Sequence, residues 1–536
     1  MVRARFALAF IVLFTLGVHA QTPGLTPGEV RATHAFDAAK KLGPGELYAF
    51  LQPMPKGADL HMHLSGAVYA ETFIAEAIQQ GLCVDPVALK FTPPAVAPTK
   101  SAPCLAAGDI PAADVLKSYL PVAKSYTGQQ LYDALIDAFS MRSFVPTSGF
   151  SGHDQFFATF ARFGGLKDYS GEWLDEVATR AAAQNEQYLE IMTTPPFSHA
   201  ATLGYQIGWP AGATKDVTRD QLAKLRDQLL AAGLRDEISV DSKQIADAKA
   251  AYNRIEDCSS KDDIVSACDV KIHFLYQILR AFPLQQVFAQ TLLGFEVASA
   301  DPDFVGINFV QPEDDRIAMK DYHLQMEMLD YLHSVYPKVK ISLHAGELAP
   351  GMVPPAGMSF HIREAIDLGH ATRIGHGVDV LYEHDAPALL KEMADKHIMV
   401  EINLTSNEGI LGIEGAAHPL AAYRAAHVPV ALSTDDEGVS RINLTHEYVK
   451  GAEDQNLTYI DLKNMARTSL EHAFFQGESL WAAPDDFAHR KPACAAPITA
   501  TSKPTAACAA LLKSNERAAE QYEMERRFAA FEAAQK

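Results

Sequence analysis

Seven short apolar runs in this chain end on residues able to do chemistry, at 58–63, 188–191, 304–309, 339–344, 373–376, 398–403 and 428–435. Helical patterns separate most of them, as at 359–368, 386–396 and 416–426. Strands alternating with helices argue for a parallel sheet. Polar groups recurring at the C-terminal ends of those strands argue for a closed barrel, where such groups share one mouth. An open doubly wound sheet would carry a Gly-rich phosphate turn after its first strand, and the 58–66 segment has none. The expected fold is therefore α/β, a (β/α)8 TIM barrel.

The chain is long for one domain. Its 536 residues suit a single elaborated barrel with insertions. Hydrophobic residues at 48% and charged residues at 21% exclude wholesale disorder. With 46 basic against 66 acidic residues the formal charge is −20, which repels phosphate backbones and argues against a nucleic-acid partner.

At the start, Arg3 and Arg5 precede an apolar run from Phe6 to Val18, and Val18-His19-Ala20 offers a small-x-small cleavage site. Residues 1–20 read as a removable secretory signal, too short to span a bilayer. A secreted or periplasmic protein follows, without a membrane association once the signal is removed. Six cysteines suit that address. They fall into neighbouring couples, Cys83 with Cys104, Cys258 with Cys268 and Cys494 with Cys508, and closeness in sequence favours this local set over the other connectivities. No C-x-x-C occurs, against a cysteine zinc site or redox motif.

Residues 21–52 read as an N-terminal helical arm, with a helix over 27–42 broken by Gly43-Pro44-Gly45. A barrel over 53–480 would carry insertions near 82–125 and 195–270. Within these, 91–111 and 195–219 have the Pro- and Gly-rich composition of excursions, while 220–300 reads mostly as helix. Residues 481–536 form a C-terminal extension, a Pro/Ala/Thr stretch before one last amphipathic helix.

Chemistry concentrates at the strand ends. Twenty histidines predict about 0.7 H-x-H triplets by chance, so His61 and His63 alone prove little. Their position adds the meaning: two apart on a strand, they project from one face. His344, His376 and Asp435 end three other strands. These five groups converge only if the strands surround one mouth. Imidazoles with a carboxylate suit a borderline-soft divalent ion, zinc above all, able to turn water into a nucleophile near neutral pH. Glu347, three residues past His344 in His-Ala-Gly-Glu, is placed to shuttle protons rather than to ligate. Phe144, Phe150, Phe156, Phe157 and Phe160 either wall a pocket for an aromatic ring or pack a helix core. Asn-x-Thr triplets begin at Asn403, Asn443 and Asn456, the first at a strand end that reads as buried.

The residues carrying this pattern resemble the adenosine and AMP deaminase family of metal-dependent hydrolases, especially its secreted, growth-factor-like branch. The matching segments are 54–67 around His61-Met62-His63-Leu64, Ser342-Leu343-His344-Ala345-Gly346-Glu347, Arg373-Ile374-Gly375-His376-Gly377, Thr405-Ser406-Asn407, His418-Pro419 and Ser433-Thr434-Asp435-Asp436. The resemblance implies a (β/α)8 barrel in which His61, His63, His344 and Asp435 bind one zinc ion. It implies that Glu347 protonates purine N1, that His376 orients and deprotonates the attacking water, and that Asp436 holds N7. The implied reaction is hydrolytic deamination of adenosine, and of 2′-deoxyadenosine, to inosine and ammonia.

Two departures concern the substrate. Ser65 stands where many members have an aspartate that grips the ribose 5′-hydroxyl. Gln311 stands where the family has glycine, in Asn308-Phe309-Val310-Gln311, and its side chain could crowd the pocket. A different purine or a 5′-modified nucleoside is thus the alternative substrate. A non-catalytic nucleoside-binding or signalling protein is the alternative from another class, which the presence of Glu347, His376 and Asp436 argues against.

Overall fold

The computed structural model describes residues 24–99, 102–117, 128–167, 170–258 and 267–536, so the signal expected over 1–20 lies outside the described residues. Eight parallel strands follow one another around a barrel: β1 (Gly57–His63), β2 (Glu186–Thr193), β3 (Lys271–Leu279), β4 (Phe304–Val310), β5 (Lys340–Ala345), β6 (Arg373–His376), β7 (Met399–Ile402) and β8 (Val430–Leu432). Each pairs in parallel with the next, for example Leu343 opposite Ile374 and Glu401 opposite Ala431. Closure comes just past β8. The Asp435 N–H donates to the His61 carbonyl at 2.8 Å, and the His63 N–H donates to the Asp435 carbonyl at 3.0 Å. Asp59 reinforces this seam, its carboxylate accepting the Thr434 hydroxyl at 2.5 Å and the Thr434 N–H at 3.1 Å.

The 220–300 region is mostly helical, as its sequence reads, but strand β3 interrupts it. Its Lys271, His273 and Gln277 alternate with the buried Ile272, Phe274, Tyr276 and Ile278, a period-two strand pattern set between helical stretches. Helix does surround it, at Arg219–Ala231, Ile238–Ile255 and Leu284–Ala300. The excursion at 195–219 likewise contains a helix, Ser198–Ile207. Together these helices explain why Leu284–Ala300 is buried on nearly all sides through Val297. The 91–111 segment is also more ordered than its prolines suggest, with short strands at Pro94–Thr99, Ala102–Cys104 and Ile110–Pro111.

The first helix occupies Pro27–Leu42, started by a Thr26–Glu29 capping box and stopped at Gly43 (φ 114°). It packs with Pro44–Leu51 against Tyr459–His472 and the C-terminal helix Glu516–Ala534. Phe50 sits edge-on to Phe36, Tyr459 and Phe531 in this clasp. The C-terminal extension ends in two helices rather than one, because Asn515 is extended and divides Ala506–Ser514 from Glu516–Ala534. Disulfides join Cys83–Cys104, Cys258–Cys268 and Cys494–Cys508. Among the described residues no helix is long and apolar enough to cross a membrane.

The Ser198–Ile207 helix lies so close to Leu284–Ala300 that a Cβ on Gly204 would stand 2.4 Å from the Gln285 carbonyl oxygen. Gly204→Val is therefore expected to destabilise the protein by about 1–3 kcal/mol, the usual cost of overpacking. A lowered thermal unfolding midpoint checks this; an unchanged midpoint would mean that the two helices separate freely.

Candidate active site

Strand ends deliver the chemistry to one place. His61 and His63 project from β1, His344 from β5 and His376 from β6, and Asp435 follows β8. His61, His344, His376 and Asp435 each offer a ligand-capable atom, all within 4.8 Å of one another. His63, Asp435 and Asp436 form a second such group, sharing Asp435. Both strand-end residues His376 (φ 67°) and Asp435 (φ 61°) take the left-handed backbone conformation, an arrangement that non-glycine residues adopt where a site demands it.

Three of the histidines, His61, His63 and His344, each have the outer nitrogen engaged. His61 Nδ1 donates to Glu401 at 2.6 Å, His63 Nδ1 to the Gln277 side-chain oxygen at 3.0 Å, and His344 Nδ1 to the Asn308 side-chain oxygen at 2.7 Å. With Nδ1 donating, a neutral imidazole turns the Nε2 lone pair inward, the orientation of a metal-ligating histidine. The inward atoms are closely spaced: His63 Nε2 to His344 Nε2 is 3.3 Å, His63 Nε2 to Asp435 Oδ1 3.2 Å, and His61 Nε2 to Asp435 Oδ1 3.5 Å. A tetrahedron with bonds of about 2.0–2.1 Å has edges of about 3.3–3.4 Å. His61 Nε2 is buried without a hydrogen-bond partner. The donor set therefore fits a divalent ion of borderline softness.

The electrostatics point the same way. Burial disfavours a charged His61, yet its contacts with Asp435 and Glu401 outweigh that and push its pKa up to about 10. A place that draws a proton so strongly stabilises positive charge. Glu401 itself is held by Arg373 at 2.7 Å and by the Ser342 hydroxyl at 3.0 Å.

Beside the cluster opens a cleft of about 440 Å3, lined by His63, Ser65, Gln277, Gln311, His344, Glu347, Asp435 and Asp436 on its polar side. Phe156, Phe157 and Phe160, with Leu279, Val310 and Pro312, form the apolar side. The three phenyl rings come from helix Gly152–Phe163, whereas Phe144 and Phe150 pair with each other away from the cleft lining. Gln311 keeps a glycine-like backbone (φ 90°), and its side-chain oxygen accepts the Ala281 N–H at 2.8 Å, which anchors the side chain at the cleft wall.

Burial, then the charges of Asp435 and Glu313, pushes the Glu347 carboxyl well above its ordinary range, which favours its protonated form. Glu313 also positions it, one carboxylate oxygen accepting the Gly346 N–H at 3.0 Å and the other the Glu347 N–H at 2.7 Å. Burial and the neighbouring charge of Asp435 raise Asp436 in the same way, and its Oδ1 is buried without a partner. Burial lowers His376 to about 3, leaving a neutral ring.

The supporting groups escaped the sequence reading. Gln277 lies on the strand that was read as helix. Glu401 left a trace, a lone carboxyl inside Met399-Val400-Glu401-Ile402, while Glu313 shows no local pattern at all.

A sequence profile of the adenosine deaminase family matches residues 174–482. The chain belongs to that family. It is 33% identical to an adenosine deaminase of Clostridium perfringens over 140 residues, 26% of this chain and 39% of that protein. An adenine deaminase of Rhizobium leguminosarum bv. trifolii is likewise 33% identical over 141 residues, 26% of this chain and 40% of that protein. The chain thus matches about two-fifths of the length of these curated relatives. Among solved structures, the adenine deaminase of Arthrobacter aurescens covers 79% of this chain and 94% of its own, at 15% identity and a TM-score of 0.48.

Gly66 carries a further constraint in this deaminase fold. A Cβ there would meet Asp436 Oδ1 at 1.4 Å and Asp436 Cγ at 2.3 Å. Gly66→Ala is expected to displace the Asp436 carboxyl and to lower kcat/KM by roughly tenfold or more, equal to a loss of about 1.4 kcal/mol or more. Metal content should not change. Unaltered kcat/KM would show that the Asp436 position is immaterial.

Proposed function

We propose that the protein is a zinc-dependent nucleoside deaminase converting adenosine, and 2′-deoxyadenosine, to inosine and ammonia. The observation carrying this reading is the convergence of four imidazoles and Asp435 beside a cleft that also receives the buried Glu347 carboxyl. His61, His63, His344 and Asp435 would hold a single zinc ion, the set that the resemblance implies, with His376 Nε2 beside them 4.0 Å from Asp435 Oδ2. Such an ion supplies Lewis acidity and makes water nucleophilic near neutral pH.

The side chains divide the remaining work. Glu347 donates a proton to purine N1, which makes C6 electrophilic. Asp436, a buried acid whose Oδ1 has no partner, donates to N7 and fixes the ring. His376 orients the attacking water toward C6. The phenyl rings of Phe156, Phe157 and Phe160 cover the base and exclude solvent. Ser65 presents a hydroxyl to the sugar end where a carboxylate would grip a 5′-hydroxyl, which favours a 5′-modified nucleoside as the second reading.

Domain limits of 21–52 for the arm, 53–480 for the barrel and 481–536 for the extension accompany this reading, as does a secreted or periplasmic location, which the three disulfides support.

The test is ammonia release from a panel of purines and purine nucleosides by purified, metal-analysed protein. Adenosine should be deaminated, and Glu347→Gln should keep its metal while turnover falls about 10²–10⁴-fold. Normal turnover in Glu347→Gln removes it from the acid role. Ammonia from free adenine or from 5′-modified nucleosides alone redirects the substrate, and none from any purine overturns the proposal.

A further inference from the structure

Gln311 stands where the chain leaves β4, in the left-handed conformation (φ 90°) that favours glycine. Such a backbone persists at a glutamine only where its surroundings hold it. Here they do. Arg280, the residue after β3 and 1% exposed, donates from Nε and from Nη2 to the Gln311 carbonyl, each at 3.1 Å. Its Nη1 donates to the His344 carbonyl, also at 3.1 Å. One buried guanidinium thus ties the end of β3 to those of β4 and β5. The side chain is pinned as well. The Ala281 N–H can only donate, so its 2.8 Å contact identifies the Gln311 atom that it meets as the amide oxygen. The amide nitrogen is then the free end. Nε2 has no hydrogen-bond partner among the described residues and is not buried, and Gln311 lines the cleft.

Few polar side chains remain for the sugar of a bound nucleoside. Of those lining the cleft, His63, His344 and Asp435 serve the metal, Glu347 and Asp436 meet N1 and N7, and Gln277 backs His63. Ser65 and Gln311 are left, both uncharged. N1 and N7 flank C6, so a purine held by Glu347 and Asp436 turns N9, and the sugar on it, away from the metal end. Ser65 follows β1 and Gln311 follows β4, three strands apart around an eight-stranded mouth. A sugar lying between them meets them at different edges.

We propose that the Gln311 side-chain amide is a specificity determinant, donating from Nε2 to a hydroxyl on the 2′,3′ edge of the substrate's sugar while Ser65 faces the 5′ end. The cleft then selects a purine nucleoside over the free base. The proposal deepens the deaminase reading and rests on it for the orientation of the purine. Pinning adds to the effect, because an amide already fixed at its oxygen loses little rotamer freedom when a ligand arrives. A glutamine at this glycine-like position is therefore no obstruction: its anchored side chain adds a donor to the wall.

Calorimetric binding of inosine and of 2′,3′-dideoxyinosine to the purified, metal-analysed protein tests this without turnover. The wild type is expected to bind inosine about tenfold more tightly, the worth of one hydrogen bond. Gln311→Gly suits the φ of 90° and removes the donor, and the preference should fall below about threefold. Any loosening from the lost Ala281 contact falls on both nucleosides and cancels in the ratio. An unchanged preference in the variant overturns the inference, as does a wild type that binds the two alike or binds neither. Should the glycine variant fail to fold, Gln311→Met keeps the length without a donor and is read in the same way. 5′-Deoxyinosine is the control. Its affinity relative to inosine should be the same in wild type and variant, and a change there overturns the assignment to the 2′,3′ edge. Equal preferences in a protein that releases ammonia from adenosine sink the inference alone. The expected preferences in a protein that releases no ammonia from any purine sink the deaminase reading alone.

Discussion

The seam between the first strand and the segment after the last one is the constraint on which the site depends. Two backbone hydrogen bonds join residues 61–63 to Asp435, and the Asp59–Thr434 contacts lock their register. Side chains on a strand alternate between faces, so a slip of one residue would turn His61 and His63 out of the mouth. Closing the barrel at this register sets a carboxylate from the chain's far end 3.2 Å from an imidazole of its beginning. Ring closure and site assembly are one event.

Around that seam the protein surrounds each inward imidazole with a chosen partner. His61 is backed by a carboxylate, Glu401, whereas His63 and His344 are backed by the neutral amides of Gln277 and Asn308. One strong acceptor and two weak ones leave the cluster able to stabilise a cation without surplus negative charge behind it. On the cleft side the balance reverses: Glu347 and Asp436 lie close to Asp435, and burial, then the charge of Asp435, favours their protonated forms. The site thus sorts neighbouring carboxyl groups into charged and neutral members by burial and contact alone, which acid catalysis at neutral pH requires.

The strands whose short apolar runs end on polar groups were legible from sequence, and so were the strand-end histidines and Asp435. Lys271–Leu279 was not, although Lys271, His273 and Gln277 alternate with Ile272, Phe274, Tyr276 and Ile278, because helical sequence flanks it on both sides, and Gln277 was lost with it. The local cysteine pairs were legible because short loops favour them. The supporting contacts were not legible for a different reason. Glu401 lies 340 residues from His61, and Glu313 lies 34 from the Glu347 N–H it accepts. Such pairings arise from the order and register of strands around the barrel, which no local pattern records. Phe156, Phe157 and Phe160 had the composition of either a core or a pocket. Only the close seating of helix Gly152–Phe163, where a Cβ on Gly152 would stand 1.9 Å from the Gly409 carbonyl oxygen, brings those rings over the cleft.

The central claim is that distant strand ends form one metal cage of imidazoles and a carboxylate. X-ray absorption at the zinc edge on the purified protein tests it most directly. The account predicts zinc with a shell of nitrogen and oxygen at about 2.0–2.1 Å, including the outer-shell scattering of three imidazoles. A fully active protein without zinc, or a zinc shell containing sulfur at about 2.3 Å or fewer than three imidazoles, would contradict it.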